Sequence, residues 1–324
     1  MINFQYIRAS STKAAIAAAA KDKTAKFIAG GTNLVDLMKR GVTAPEKLID
    51  INQVPLKKIE LINNVLHIGA MVTNADVAEN NLVINNFPVL AEALQAGASP
   101  QLRNVATVGG NMMQRTRCGY FYDTEMPCNK RKPGSGCAAL GGYNRMHAIF
   151  GASESCIAVH PSDMCVALAI LDTWVVIAGP KGERKIKFAD FHRLPGITPE
   201  KDNNLMPAEM IVRLEIPIVA SEKEKSKYIK VRDRASYAFA LVSVAVSLES
   251  DGEKIVKARV AMGGVAHKPW RLTEVEAFLV GKDKTKDTFL QAADLAVKNA
   301  KPYKENGFKV QLASNTIMEA LTWV

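Results

Sequence analysis

Apolar residues fall in short runs along this chain, each closed by glycine, proline or asparagine. The alanines and Ile16 of residues 12–22, with Ser11 or Thr12 in front, predict an N-capped helix. Residues 26–29 read as a short buried strand that runs directly into Gly30-Gly31-Thr32-Asn33. A helix over 34–40, closed by Gly41, and a strand at 48–51 complete a first lobe, 1–54. Residues 58–62 and 65–68 flank Asn63-Asn64, a hairpin signal. Helices are predicted at 74–80 and Pro88–Ala96, the latter ending in Gly97.

A strand-like apolar segment leads to Gly109-Gly110-Asn111, and beyond it the regular pattern stops for about 45 residues. It resumes at His160-Pro161-Ser162-Asp163, where Ser162 caps a predicted helix over 163–171. Strands at 173–178, 184–188 and 210–216 close a second lobe, 55–220, with an irregular insert at about 112–158. The charged stretch 221–227 reads as a linker into a C-terminal domain, 221–324. That domain shows strands near 228–232, 241–249 and 255–262, then helices that include 287–299 and 311–321. Strands followed by helices predict an α+β fold.

At 324 residues with 48% hydrophobic and 23% charged content, the chain can bury a large core and is not disordered. The net charge of +10 suits an anionic ligand or an acidic partner subunit. Aromatics are only 6% and no basic stripe interleaves with them, so nucleic-acid binding is not expected. No apolar run approaches the ~20 residues of a membrane span. The alanine run at 14–20 lacks a cleavage site and reads as a helix; synthesis in the cytoplasm without a signal of its own is the expectation.

Chemistry concentrates in two places. A strand that delivers Gly-Gly-Thr-Asn to a helix start is an anion site in physical terms, because glycine tolerates positive φ and converging amides face the helix dipole. A second Gly-Gly-Asn at 109–111 offers a second arm, so a dinucleotide pyrophosphate fits better than an empty turn. Neither G-x-G-x-x-G nor the Walker signature is present.

The insert holds Cys118, Cys128, Cys137 and Cys156, spaced C-x9-C-x8-C-x18-C. Four thiolates in glycine-rich chain suit an iron–sulfur cluster, a structural Zn²⁺ or two disulfides. Spacing alone does not separate the first two. Cys165, inside an apolar helix, reads as a small buried hydrophobe. Arg115, Arg117, Lys130, Arg131 and Lys132 would offset the charge of an anionic cluster. His147 and His160 carry no chemical signal by position. No Ser-His-Asp, HExxH or paired-carboxylate set stands out, so no catalytic side chain is assigned.

The segments Ala29-Gly30-Gly31-Thr32-Asn33, Thr107-Val108-Gly109-Gly110-Asn111 and Pro161-Ser162-Asp163 resemble the FAD-binding subunit of the molybdenum hydroxylases (xanthine dehydrogenase family). The cysteine insert and the stretch from Lys230 to Ala240 narrow the resemblance to the FAD and [4Fe–4S] subunit of periplasmic-type aldehyde oxidoreductases. The resemblance implies a two-lobed FAD domain of vanillyl-alcohol-oxidase type and a small C-terminal domain. By it, Lys26, Phe27, Ile28, Ala29, Gly30, Gly31, Thr32, Asn33 and Leu34 wrap the FAD pyrophosphate, and Thr107, Val108, Gly109, Gly110 and Asn111 form the second wall. Asp163 would accept hydrogen bonds from FAD, with a helix-dipole carboxylate as its plainer reading. Lys230 would face the flavin, with a solvated lysine as the alternative. The four cysteines would hold the cluster.

The implied function is electron transfer within a heterotrimer. A molybdenum-cofactor large subunit oxidises an aldehyde, a [2Fe–2S] small subunit relays electrons to FAD here, and an external acceptor takes them away. Such complexes cross the inner membrane folded, on a twin-arginine signal of the small subunit. An autonomous flavin oxidase and a zinc-stapled, non-enzymatic scaffold remain the alternatives.

Overall fold

Ser11, extended at φ −146°, takes the Ala14 amide on its hydroxyl and starts the first helix where the sequence places it. The computed structural model describes residues 1–218 and 224–324. Its first sheet is parallel, in the order β1-β3-β2, from β1 (Gln5–Arg8), β2 (Lys26–Ile28) and β3 (Lys47–Asp50). Helices α1 (Thr12–Ala20) and α2 (Leu34–Lys39) make the crossovers, and Gly41 at φ +72° ends α2. The sequence gives no sign of β1, because all four of its residues are exposed and alternation carries no burial signal. Pairing with β3 and the Tyr6 hydroxyl on Asp50 hold it in place.

The second lobe is an antiparallel sheet ordered β4-β5-β8-β6-β7. Its strands are β4 (Ile59–Ile62), β5 (Val65–Gly69), β6 (Trp174–Gly179), β7 (Gly182–Lys187) and β8 (Met210–Pro217). Asn63 and Asn64 both take positive φ, at 50° and 60°, as a two-residue hairpin requires. Between β5 and β6 lie α3 (Asn74–Glu79), α4 (Asn81–Asn86), α5 (Pro88–Ala96), α6 (Pro100–Arg103), α7 (Val108–Met112), α8 (Gly119–Tyr122) and α9 (Asp163–Ile170). The segment before Gly109 is not the expected strand: Pro100 starts α6 and Thr107 caps α7. All eight residues of α9 are buried, so no amphipathic period marks it.

The C-terminal sheet, β12-β11-β10-β9, is antiparallel and comprises β9 (Glu224–Val231), β10 (Val242–Asp251), β11 (Lys254–Gly263) and β12 (Trp270–Arg271). Helices α10 (Thr273–Leu279), α11 (Lys286–Val297) and α12 (Phe308–Thr322) cover one face. Val242, Val244, Val246 and Leu248 face those helices, while Ala245 on the opposite face joins the core around α9. The expected linker fails at its C-terminal end, since 224–227 belong to β9; its first residues, 221–223, lie outside the described residues. The insert is anchored across both units: Ile149 and Phe150 enter the C-terminal core, and Phe150 stacks on Trp270 at 5.4 Å. No helix among the described residues is long and apolar enough to cross a membrane.

Candidate functional site

The chain leaves β2 through Gly30 and turns into α2 at Gly31, whose φ is +72°. Among the described residues, the amides of Gly30, Gly31, Thr32, Asn33 and Leu34 donate to no protein acceptor. Free N–H groups at a helix start are donors that could hold an anion. Thr32 is exposed and its hydroxyl is unengaged. Asn33 is used internally: its Oδ1 accepts the Arg115 amide at 2.9 Å.

The second glycine turn departs from expectation. Val108 and Gly109 donate to the carbonyls of Val72 and Ala70, and Gly110 to the Thr107 hydroxyl at 3.2 Å. Asn111 donates its amide to Thr107 O and accepts from Ser162 Oγ at 2.6 Å and Gln114 at 2.8 Å. Its amides are therefore engaged internally and are not free to serve as a second cradle. The glycines also have internal reasons. A Cβ on Gly30 would collide with the Val105 carbonyl, and one on Gly109 would press on Ala70 at 3.2 Å.

From Asn33 the chain at 115–117 leads into a cavity of about 500 Å³. Arg117, Cys118, Tyr120, Tyr143, His147, His160, Ser162, Asp163, Phe239 and Gly264 contribute to its lining. The four insert cysteines, Cys118, Cys128, Cys137 and Cys156, line a second, smaller pocket with Tyr120, Phe121, Pro127, Ala139 and Ala158. Cys118, Tyr120 and Thr116 belong to both. Every cysteine is a free thiol, so the two-disulfide alternative is not realised. Burial pushes the Cys118 thiol up to about 12 and Cys156 up to about 11.

Residues 2–219 match the family model described as the FAD binding domain in molybdopterin dehydrogenase, and 227–324 match the CO dehydrogenase flavoprotein C-terminal domain. The chain is 50% identical over 321 residues to the FAD-binding subunit PaoB of an aldehyde oxidoreductase from Escherichia coli (strain K12), covering 98% of this chain and 97% of the other. This chain belongs to the FAD-binding subunits of the molybdenum hydroxylase family. It is also 28% identical to the glyceraldehyde dehydrogenase medium chain of Sulfolobus acidocaldarius, over 86% of this chain and 82% of that one. The structure of carbon monoxide dehydrogenase from Hydrogenophaga pseudoflava superimposes with a TM-score of 0.78 at 26% identity, covering 99% of this chain and 98% of that chain. This family of oxidoreductase subunits thus accounts for the chain from end to end.

Within this FAD-binding subunit, the two isolated candidates Asp163 and Lys230 turn out to be partners. Lys230 Nζ donates to Asp163 Oδ2 at 2.9 Å and to Ala96 O at 3.0 Å, and Tyr228 donates its hydroxyl to Asp163 Oδ1 at 2.6 Å. The side chains are 3% and 9% exposed, which rules out a solvated Lys230. Burial, and then the Asp163 charge, push the Tyr228 hydroxyl well above its usual 10. Tyr228 carries no motif, and only the pairing of β9 shows its place.

The basic residues of the insert divide by role. Lys130 is buried and reaches Asp202, Pro199 O at 2.8 Å and His267 Nε2 at 2.8 Å; Arg115 meets Asp202 at 2.7 Å. Burial opposes the Asp202 charge, but Lys130 and Arg115 hold its carboxyl well below the usual range. Arg131 instead ties the loop together through the carbonyls of Tyr120, Phe121, Thr124 and Met126. Lys132 is exposed. Lys309, missed in the sequence, is fully buried with Nζ on His147 O at 3.0 Å and Gly264 O at 2.8 Å. It has no acidic partner among the described residues, and burial lowers it to about 7.

His160, Cys165 and His192 gather one candidate ligand atom each within 4.8 Å. His160 Nδ1 accepts from the Ser162 amide, so its proton lies on Nε2; His192 Nε2 donates to Met112 O at 2.9 Å, which leaves Nδ1 bare. His160 Nε2 and His192 Nδ1 are both buried with no hydrogen-bond partner among the described residues. Burial pushes both rings down, His192 to about 4. Cys165, on α9 with its Sγ 3.7 Å from Met112 Sδ, is the buried residue the sequence predicts.

Proposed function

We propose that this chain is the FAD- and [4Fe–4S]-carrying electron-transfer subunit of a molybdenum-dependent aldehyde oxidoreductase. It would work in a heterotrimer with a molybdenum-cofactor large subunit and a [2Fe–2S] small subunit, and pass electrons to an external acceptor. The observation that carries the reading is the shared wall: a four-cysteine pocket and a 500 Å³ cavity meet at Cys118. The choice of aldehyde as substrate class follows the two relatives named for aldehyde chemistry.

The residues fit both groups. The free amides of Gly30 to Leu34, with the Thr32 hydroxyl, would take the pyrophosphate, and Lys26 to Ala29 would deliver that cradle. Thr107 to Asn111 would close the opposite side as a wall. Ser162, Asp163 and the Asp163–Lys230 pair would offer the polar contacts inside the cavity. FAD, when bound, supplies the one- and two-electron chemistry that side chains lack.

For the metal, zinc fits poorly. Zn–S bonds of about 2.3 Å hold four sulfurs about 3.8 Å apart. Yet the described residues contain only one group of three or more candidate ligands within 4.8 Å, and the four cysteines are not that group. A four-iron core spreads its ligands wider. Buried Lys309, with no acidic partner among the described residues, and half-buried Arg117 suit an anionic neighbour. Export with a twin-arginine partner subunit belongs to the same proposal.

The test is anaerobic isolation of the complex with flavin, iron and sulfide analysis. About four iron and four sulfide per FAD, beyond those of the small subunit's [2Fe–2S] centres, are expected. Cys137→Ser should lose iron and keep most of the flavin. Zinc in place of iron, or unchanged iron in Cys137→Ser, would overturn the assignment.

A further inference from the structure

Cys118 differs from the other three cysteines of its pocket, because it alone also borders the large cavity. At that border stands His147, whose Nε2 lies 3.1 Å from the Cys118 sulfur. The main chain of His147 is fixed from three sides. Its amide donates to Asn144 O at 3.0 Å, and its carbonyl accepts from Asn306 Nδ2 at 3.2 Å and Lys309 Nζ at 3.0 Å. Asn306 and Lys309 are both fully buried at the start of α12, so the C-terminal domain sets the height of the ring. Nδ1 is buried with no partner, which leaves the sulfur as the ring's only polar contact among the described residues.

A metal-bound thiolate sulfur only accepts, so the proton of a neutral ring must sit on Nε2. We infer that His147 is a positioning residue that donates an Nε2–H···Sγ bond to Cys118, raises the reduction potential of the iron–sulfur centre and marks Cys118 as its cavity-facing ligand. The physical reason is the sign of the charge change. A donor aimed at a ligand sulfur stabilises the cluster more as it gains an electron, so the reduced state benefits most. The bond also gives the centre a directed contact toward the cavity, where the flavin is proposed to lie. This inference rests on the cluster assignment above.

The experiment is an EPR-monitored redox titration of the intact complex carrying wild-type His147, His147→Leu or His147→Gln. Poised at the wild-type midpoint, His147→Leu should show at least a tenfold lower ratio of reduced to oxidised cluster, equivalent to 59 mV for one electron. His147→Gln, which keeps an N–H donor, should recover most of that ratio. Equal ratios in all three, with full iron, would overturn the hydrogen bond and leave the cluster assignment standing. Absence from the wild-type complex of any iron beyond the small subunit's [2Fe–2S] centres would instead remove the assignment and the inference together. Should His147→Leu fail to take up iron, the wild-type complex with ¹⁵N-labelled histidine decides. A weak coupling from one imidazole nitrogen to the reduced cluster is expected, and no coupling, or one strong enough for direct ligation, would overturn the inference.

Discussion

The two glycine turns carry nearly the same letters and do opposite things with their backbone. At Gly30 to Leu34 five amides point away from every protein acceptor, whereas at Val108 to Asn111 each amide finds a carbonyl or a hydroxyl. The difference comes from what lies behind each turn. The first is the exit of an edge strand, β2, where no protein acceptor meets the amides; the second docks on Ala70 and Val72 at the end of β5. A Gly-Gly-Asn string therefore reports permissive backbone, and only the surroundings decide whether that backbone binds a ligand or a neighbour.

Substitutions can break this contrast. Gly30→Ala has the largest expected effect, because its Cβ would overlap the Val105 carbonyl: a loss of several kcal/mol, on the order of an overpacked core site, read as a drop in Tm. An unchanged Tm would show that the two turns do not abut.

Acid should act next, and on the second turn. His192 holds Met112 O at the end of α7, and burial lowers it to about 4 from 6.5. The unfolded chain takes up that proton first, so stability is full above about pH 6.5 and falls as pH drops toward 4, by on the order of 3 kcal/mol. His192→Gln should flatten that part of the Tm–pH curve. Its slope persisting would place the acid sensitivity elsewhere.

Smaller effects sharpen the comparison. Thr107→Ala removes the cap of α7 and should cost about 1 kcal/mol in denaturant unfolding. Gly110→Ala meets only the Thr107 hydroxyl at 3.1 Å and should be neutral or stabilising by a few tenths of a kcal/mol, since alanine suits a helix. A large loss there would make Gly110 a packing glycine like Gly30.

What could be read from the sequence follows from where each signal resides. The caps Ser11, Thr73, Ser99, Thr107, Ser162 and Thr285 each accept an amide three residues on, a local relation that the sequence displays when a helix follows. The four cysteines were legible because thiol chemistry belongs to the side chain itself. His147 was not: its partner is 29 residues away and its clamps are at 306 and 309, so no spacing marks it. The same holds for Asp163 and Lys230, 67 residues apart, whose individual readings missed that each neutralises the other. Strand β1 escaped for the opposite reason, since an exposed strand has no hydrophobic pattern to read.

Strand β9 has a further consequence. Its Tyr228 and Lys230 side chains end on Asp163, and its Tyr228 amide and Lys227 ammonium on Glu92, so one strand of the C-terminal sheet is stitched into the helical layer opposite. Pulling the halves apart would expose to water the apolar core that Tyr228, Ala245 and Ala261 share with α9. The two segments matched by separate family models are accordingly expected to unfold in one melting transition, which calorimetry of the isolated chain would check.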